Sequence, residues 1–468
     1  MSLTRRRLIR NACSSAALGY APFLLAADKS TAGIAPGNLR QQIDGFGFCE
    51  AFHQARNLQS FSDKDKTDIL NLMFSPAGGM GYSILRNIIG DGGANQKTQN
   101  GSTESIEPNP GEFNWTGDED QIWMMNEAKK RGCTRFLSSC WSPPAWMKTN
   151  NSVENGGELK PAMYQQFADY LATYVLEYKK RYDLDIYAIS PTNEPNYTAT
   201  WASCRWTGKQ LAKFLRENLI PTFAQRGVIA EIVIDEHASW SDEYINDILS
   251  DPVCDKAIHI VAAHAYADTS SSYMPLSTRT GQFNTAMEKG KRIWETEVSV
   301  GGKEPNIVNM NDGVYWARVI HTHMIEDNVS AWLYWWGAAV SGSRGSLITL
   351  DMKAKTYQLS KRMFTIGHFA RFIRPGFHRV DATPNPNTNT FFSAYLNPNG
   401  KELVCIAIND DAVERPITIQ YGNFPATKCL PVRTSNTETH TRLPIVTPTN
   451  GSFQVTTAPL SVTTYIIS

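Results

Sequence analysis

Two short carboxylate motifs lie about a hundred residues apart: Pro191-Thr192-Asn193-Glu194-Pro195 and Trp294-Glu295-Thr296-Glu297-Val298-Ser299. Each follows an apolar, β-rich run and opens a loop. Two carboxyl groups facing each other at roughly 5 Å, one protonated and one ionised, can cleave a glycosidic bond by double displacement. The protonated group supplies the leaving oxygen with its proton, and the ionised one attacks the anomeric carbon. Most glutamates are surface acids or helix caps instead. Two of them closing strands within one repeating strand–helix pattern fit the chemistry better.

The neighbours of Glu194 suit the acid role. Asn193 carries an amide that can bond a sugar 2-hydroxyl, a contact that strengthens in the transition state. Pro195 turns the chain away and leaves Glu194 at the strand's end. The second motif offers two acids. On a regular strand Glu295 and Glu297 share a face, so periodicity does not separate them. Position does: Glu297 lies nearer the strand's C-terminal end and is the expected nucleophile, with Glu295 a deeper, hydrogen-bonded support. An ionised nucleophile needs a nearby cation, and Arg86, closing an earlier apolar run, is the candidate. His264 and Tyr266 close another run. Trp141, and Trp335 within Trp332-Leu333-Tyr334-Trp335-Trp336, offer faces on which a sugar ring can stack.

Eight apolar runs are expected to hold these residues: Ile43–Cys49, Tyr82–Ile89, Thr134–Cys140, Asp185–Pro191, Glu231–Glu236, His259–Tyr266, Lys291–Val298 and Ala331–Trp336. Helical patterns separate them, among them Asp118–Arg131, Ala162–Arg181, Gly208–Arg226 and Asp312–Asp327, with Ser62 and Thr207 as N-caps. Eight strands alternating with helices predict a (β/α)8 barrel over residues 44–372, with the two motifs on strands four and seven. After Pro375-Gly376 the chain shows β-type alternation and turns such as Asn397-Pro398-Asn399-Gly400. Residues 376–468, joined by 28–43, are expected to form a β-sandwich beside the barrel.

The 468 residues carry 45 basic and 45 acidic side chains, a balance that argues against nucleic acid or an anionic membrane as partner. The first 27 residues open with Thr4-Arg5-Arg6-Arg7-Leu8-Ile9-Arg10, continue with an apolar stretch and end in small residues. They predict a twin-arginine-type signal of an exported bacterial protein, with a stretch too short to span a membrane. Without Cys13, seven scattered cysteines remain, matching neither a disulfide framework nor a zinc site.

The chain resembles glycoside hydrolase family 30. The resemblance runs through Asp44-Gly45-Phe46-Gly47, Gly81-Tyr82-Ser83-Ile84-Leu85-Arg86, Trp141-Ser142-Pro143-Pro144-Ala145-Trp146-Met147-Lys148, Asn193-Glu194-Pro195, Glu295-Thr296-Glu297, Ala370-Arg371-Phe372-Ile373-Arg374-Pro375-Gly376 and Ser461-Val462-Thr463-Thr464. It implies a barrel fused to a side domain built from both ends, and retaining hydrolysis of a β-linked polysaccharide or oligosaccharide. It implies no metal or organic cofactor and puts the nucleophile at Glu297; the chain itself is expected to be a monomer. Within the family, Ser105-Ile106-Glu107-Pro108-Asn109-Pro110-Gly111 and Gly47-Phe48-Cys49-Glu50-Ala51-Phe52 look like the fungal-type xylan-active branch. That branch carries an arginine near position 54 to grip a glucuronate; here Gln54 stands there, with Arg56 two residues on. Arg344, in the loop after strand eight, is the other candidate for that grip. The expected activity is therefore xylan hydrolysis, of the endo-β-1,4-xylanase or glucuronoxylanase type. The alternatives are a β-1,6-glucanase, a glucosylceramidase-like enzyme, or a non-catalytic carbohydrate-binding protein.

Overall fold

Eight short parallel strands close into a barrel in the order they occur: β2 Gly45–Cys49, β3 Ile84–Ile88, β4 Arg135–Ser139, β5 Ile186–Ser190, β6 Glu231–His237, β7 Ile260–His264, β8 Arg292–Glu297 and β9 Val329–Trp336. The ninth strand closes the ring by pairing with the second, Gly45 opposite Ala331 and Gly47 opposite Leu333. The computed structural model describes residues 30–92, 103–266, 280–300, 306–340 and 345–468. The expected signal at 1–27 and the candidate Arg344 lie outside the described residues.

The strands read as continuous apolar runs because both of their faces are buried. Inward faces supply Ile84, Leu137, Val233, Ile260, Trp294 and Leu333 to the barrel's interior. At the lower end Trp294 Nε1 donates to Asp44 Oδ2 at 2.8 Å, and Arg292 ties Asp44 to Tyr187 and Glu231. Gly47 is required where the first two barrel strands meet, since a Cβ there would lie 1.9 Å from the Ile84 carbonyl oxygen.

The helices form the outer layer. Ser62 accepts from Asp65 N, and Thr207 forms a capping box with Gln210, so both expected caps are present. The long helix expected over 208–226 is interrupted: a π-turn, Leu215–Leu219, separates Gly208–Phe214 from Ile220–Arg226. Pro221 supplies the reason, because it lacks an N–H and its ring crowds the carbonyl of Glu217 four residues earlier. No helix among the described residues is long and apolar enough to cross a membrane. A small sheet that the sequence did not announce follows the barrel's last strand: β10 Ala338–Val340, β11 Ile348–Asp351 and β12 Thr356–Leu359.

Beyond the last barrel helix, Lys361–Phe372, come β13 His378–Ala382, β14 Thr390–Leu396, β15 Leu403–Asn409, β16 Arg415–Gln420, β17 Cys429–Thr434, β18 Thr441–Arg442, β19 Ser452–Thr457 and β20 Ser461–Ile467. They join β1, Thr31–Gln42, in the order β18-β17-β20-β15-β14-β13-β1-β16-β19. β1 pairs antiparallel with β13 and, through Thr31–Gly33, parallel with β16. Two register shifts along it let one strand serve both layers of the fold. Between the layers lie Phe392, Cys405, Ile417, Ile419 and Phe453. On the opposite face Val404, Ile406, Ile408 and Val462 merge with the core beneath the helices Met310–Ile325 and Lys361–Phe372.

That contact carries a buried histidine pair. His368 places Nδ1 2.7 Å from Thr464 Oγ1 and Nε2 2.9 Å from Thr434 Oγ1, while the His440 ring packs 4.5 Å away. Burial, the neighbouring ring and Arg371 drive His368 well below the ordinary histidine range. Burial takes His440 down to about 4. A depressed folded-state pKa stabilises the fold above the unfolded value of 6.5, and that stability is lost as pH falls towards 4. For His440 it amounts to roughly 3 kcal/mol, at about 1.4 kcal/mol per unit. The Tm advantage of wild type over His440→Gln should therefore be largest at pH 7.5 and shrink towards pH 4.5. A gap independent of pH would show that the ring stays neutral for no energetic reason.

Candidate active site

Among the described residues, those expected to do chemistry stand at the C-terminal rim of the barrel, and irregular backbone aims the acids. The β6–β7 register skips one residue between Asp235 and His237, leaving Glu236 unpaired in a bulge. The β7–β8 register skips Thr296 between Glu295 and Glu297. Asp235, Glu236 and Glu194 all take left-handed backbone, with φ of 80°, 48° and 47°. Three non-glycine residues in that region are costly, and such strain gathers where a side chain must be aimed. Glu194 is held by its N–H, which donates to the Glu236 carbonyl at 2.9 Å.

The bulge corrects the expectation that Glu295 and Glu297 share a face. Glu295 pairs beside Ala263 and Trp332, which belong to the helix-facing side, whereas Trp294 and Glu297 face inward. Glu295 is fully buried and its Oε1 accepts from Glu297 N at 3.1 Å. It braces the backbone of Glu297 from behind.

Glu194, His264 and Glu297 each offer an atom within 4.8 Å of the others. His264 Nδ1 lies 3.0 Å from Glu194 Oε1 and 3.9 Å from Glu297 Oε2. Arg86 is fully buried, not the exposed ion pair typical of arginine. Its Nη1 donates to Glu297 Oε2 at 2.6 Å, its Nη2 to Asn193 Oδ1 at 2.6 Å, and its Nε lies 3.0 Å from Glu236 Oε1. With its oxygen committed to Arg86, the Asn193 amide has its NH2 to offer the cleft. Tyr266, half-buried, places its hydroxyl 3.4 Å from Ser299 Oγ, and burial with the nearby Glu297 keeps that phenol protonated.

Trp141 forms the floor rather than an open platform: it is 2% exposed, with the Arg86 guanidinium 4.4 Å above its ring. Phe52 meets it edge-on at 5.7 Å, and Trp335 lies 6.0 Å from Phe52 and 6.1 Å from Trp141. Trp332 and Tyr334 turn outward to the helices, as strand alternation requires. Gln54 turns inward, donating to Phe52 O, and Arg56 is exposed 3.7 Å from Asp120.

The electrostatics follow from burial and pairing. Burial opposes a charge on His264, but Glu297, Glu194 and Glu236 outweigh it and push the pKa up to about 10. Burial also opposes a charge on Glu236, yet Arg86 and His264 bring it down to about 2. For Glu297, burial and Glu194 raise the pKa while His264 and Arg86 hold it back. Two carboxyl groups at this separation, one clamped by a guanidinium, are equipped for attack at an acetal carbon with proton transfer from the opposite side.

The sequence profile of O-glycosyl hydrolase family 30 matches residues 29–344. The chain belongs to glycosyl hydrolase family 30. It is 27% identical over 354 residues to the glucuronoxylanase XynC of Bacillus subtilis strain 168, covering 74% of this chain and 77% of that protein. It is 25% identical over 416 residues to an endo-1,6-β-D-glucanase of Neurospora crassa, covering 84% and 82%. Among solved structures, the catalytic domain of the family 30 xylanase C from Talaromyces cellulolyticus superposes with a TM-score of 0.80 at 28% identity, covering 94% of this chain and all of that one. This family 30 protein is thus a glycoside hydrolase with the family's barrel and attached β-domain.

Sequence reading missed two residues of this site. In the sequence Glu236 is the plain end of an apolar run, and the signal for its role is the run Asp235-Glu236-His237 at a barrel rim. Phe52 entered only as part of a resembling stretch. Arg86→Lys keeps the charge but loses the fork that reaches Glu297, Glu236 and Asn193. Losing one or two buried charge-assisted bonds should lower the unfolding free energy by about 3 kcal/mol, read as a lower midpoint in urea. An unchanged midpoint would mean that the fork does not hold the rim together.

Proposed function

We propose that this protein is a retaining hydrolase of β-linked xylan, with Glu194 as acid/base and Glu297 as nucleophile. The observation that carries it is the facing pair, within 4.8 Å, with Arg86 on Glu297 and His264 between the two. Glu194 protonates the leaving oxygen while Glu297 attacks the anomeric carbon and forms a glycosyl-enzyme. Glu194, now a base, then takes a proton from the water that releases the sugar. The imidazolium of His264 beside both groups stabilises carboxylate on either side as charge moves between them.

The leaving portion of the chain departs on the side of Glu194. Tyr197 and Trp201 follow it in the same loop, 47% and 38% exposed, with rings 6.4 Å apart. Exposed aromatic faces there suit further sugar units, which supports a polymer over a small glycoside. Likeness to a glucuronoxylanase and a xylanase supports xylan. The glucanase relative supports β-1,6-glucan as the second reading. The arginine-led opening of the sequence supports export by the twin-arginine route.

Glu194→Gln and Glu297→Gln should each lower kcat by several orders of magnitude with the fold intact, and Glu295→Gln far less. The first-formed product should keep the β configuration in proton NMR of the anomeric signal. A first-formed α product would sink the mechanism. Because Glu297 must be ionised and its pKa is raised, activity should fall on the acid side above pH 4.5, the ordinary glutamate value. A separate prediction concerns Arg344 as the reader of an acidic xylan branch. Arg344→Ala should cost about ten- to a hundredfold in kcat/KM on glucuronoxylan and little on linear xylo-oligosaccharides. Equal losses on both would assign Arg344 a structural role. Hydrolysis of β-1,6-glucan but not xylan by the wild type would favour the second reading.

A further inference from the structure

Glu236 is fully buried behind the facing pair, yet it touches both arms of the site. Its Oε1 lies 3.0 Å from Arg86 Nε and 3.9 Å from His264 Nε2. The other end of that guanidinium grips Glu297, and the other ring nitrogen of that histidine grips Glu194. Its carbonyl also receives the Glu194 N–H. The side chain reaches this place only because a bulge and two successive left-handed residues turn it inward. Backbone of that kind persists where its surroundings enforce it.

We infer that Glu236 is a positioning residue, a fixed counter-anion that keeps Arg86 and His264 charged and in place and thereby sets the charge balance between Glu194 and Glu297. This rests on the reading of Glu194 as acid and Glu297 as nucleophile. Asp235, Cys49, His237, Tyr266 and Glu295 also stand around the cluster, Glu295 accepting from the Glu297 N–H. Burial raises Asp235 well above the carboxylate range and the Cys49 thiol up to about 12, and it lowers His237 to about 4. At the centre two cations, Arg86 and His264, face two carboxylates, Glu236 and Glu297. Removing the charge of Glu236 leaves one positive charge in excess. A buried excess charge is expensive, so a proton leaves the site more readily.

Glu236→Gln keeps the shape and removes the charge. The assay uses whichever of glucuronoxylan, linear xylan and β-1,6-glucan the wild type hydrolyses. The expected result is a ten- to hundredfold lower kcat with KM nearly unchanged, and a basic limb of the pH–rate profile displaced about 1–3 pH units towards acid. In protein labelled with 15N-histidine, the imidazolium signal of His264, assigned with His264→Gln, should be lost at a lower pH than in wild type. Glu236→Asp retains the charge and should return the limb and the histidine titration towards wild type while kcat stays reduced. A basic limb and a His264 titration that both stay at their wild-type positions in Glu236→Gln would overturn the inference. Should Glu236→Gln fail to fold, Glu236→Asp decides: a wild-type limb with reduced kcat supports the role, and a wild-type kcat overturns it. Activity in Glu194→Gln or Glu297→Gln would instead remove the reading beneath it, so the two failures are distinct.

Discussion

One buried guanidinium organises this protein's chemistry. Arg86 has no water to solvate it and must find all of its partners within the fold, and it finds them on three barrel strands and the loop after a fourth. Glu297, Glu236, Ser139 and Asn193 are held at fixed distances because the fork of the guanidinium is planar and rigid. Trp141 beneath it supplies a face that tolerates charge while excluding water. A lysine or a surface arginine could serve one of these partners; only a buried fork serves all of them. The rim's cost in strained backbone and unsolvated charge is met by the large apolar barrel under it.

The barrel was legible because its period is repeated eight times and each strand is buried on both faces, so the apolar runs stand out against the helices. The observed strands fall within a residue or two of the expected ones. The Glu194 and Glu297 pair was legible for a related reason: carboxylates at the ends of such runs have few structural uses. What the sequence hid lies where periodicity breaks. A one-residue bulge leaves no mark in composition, yet it parts Glu295 from Glu297 and exposes the rim to Glu236. The π-turn at Leu215–Leu219 was hidden likewise, although Pro221 could have given it away. The stacking of Arg86 on Trp141 was not legible either, since nothing local says that an arginine lies above that ring.

The side domain is more than an appendage on one edge of the barrel. On β15 the residues at odd positions fill its own core and those at even positions fill the barrel's, so one strand belongs to two hydrophobic cores. His368 extends the same sharing in polar form, a barrel residue whose two ring nitrogens are satisfied by hydroxyls of the sheet. Helices that follow the last barrel strands are therefore pinned from outside as well as from the barrel. The wall near the cleft inherits that support, because Trp335 and Trp336 close the strand between those two helices.

The split origin of that domain also orders events during synthesis. β1 is synthesised long before its partners exist: Gly33 N donates to Thr383 Oγ1, 350 positions away. Throughout elongation of the barrel, this strand carries unpaired backbone groups that any other open edge could capture. The loop that must close is among the longest the chain can form, which makes that pairing a late and slow step compared with the local strand–helix units between. The nascent barrel thus acts as a spacer with a loose end. The clasp across its back shuts only after β13 and β16 emerge, and until then β1 is an exposed route to misassembly.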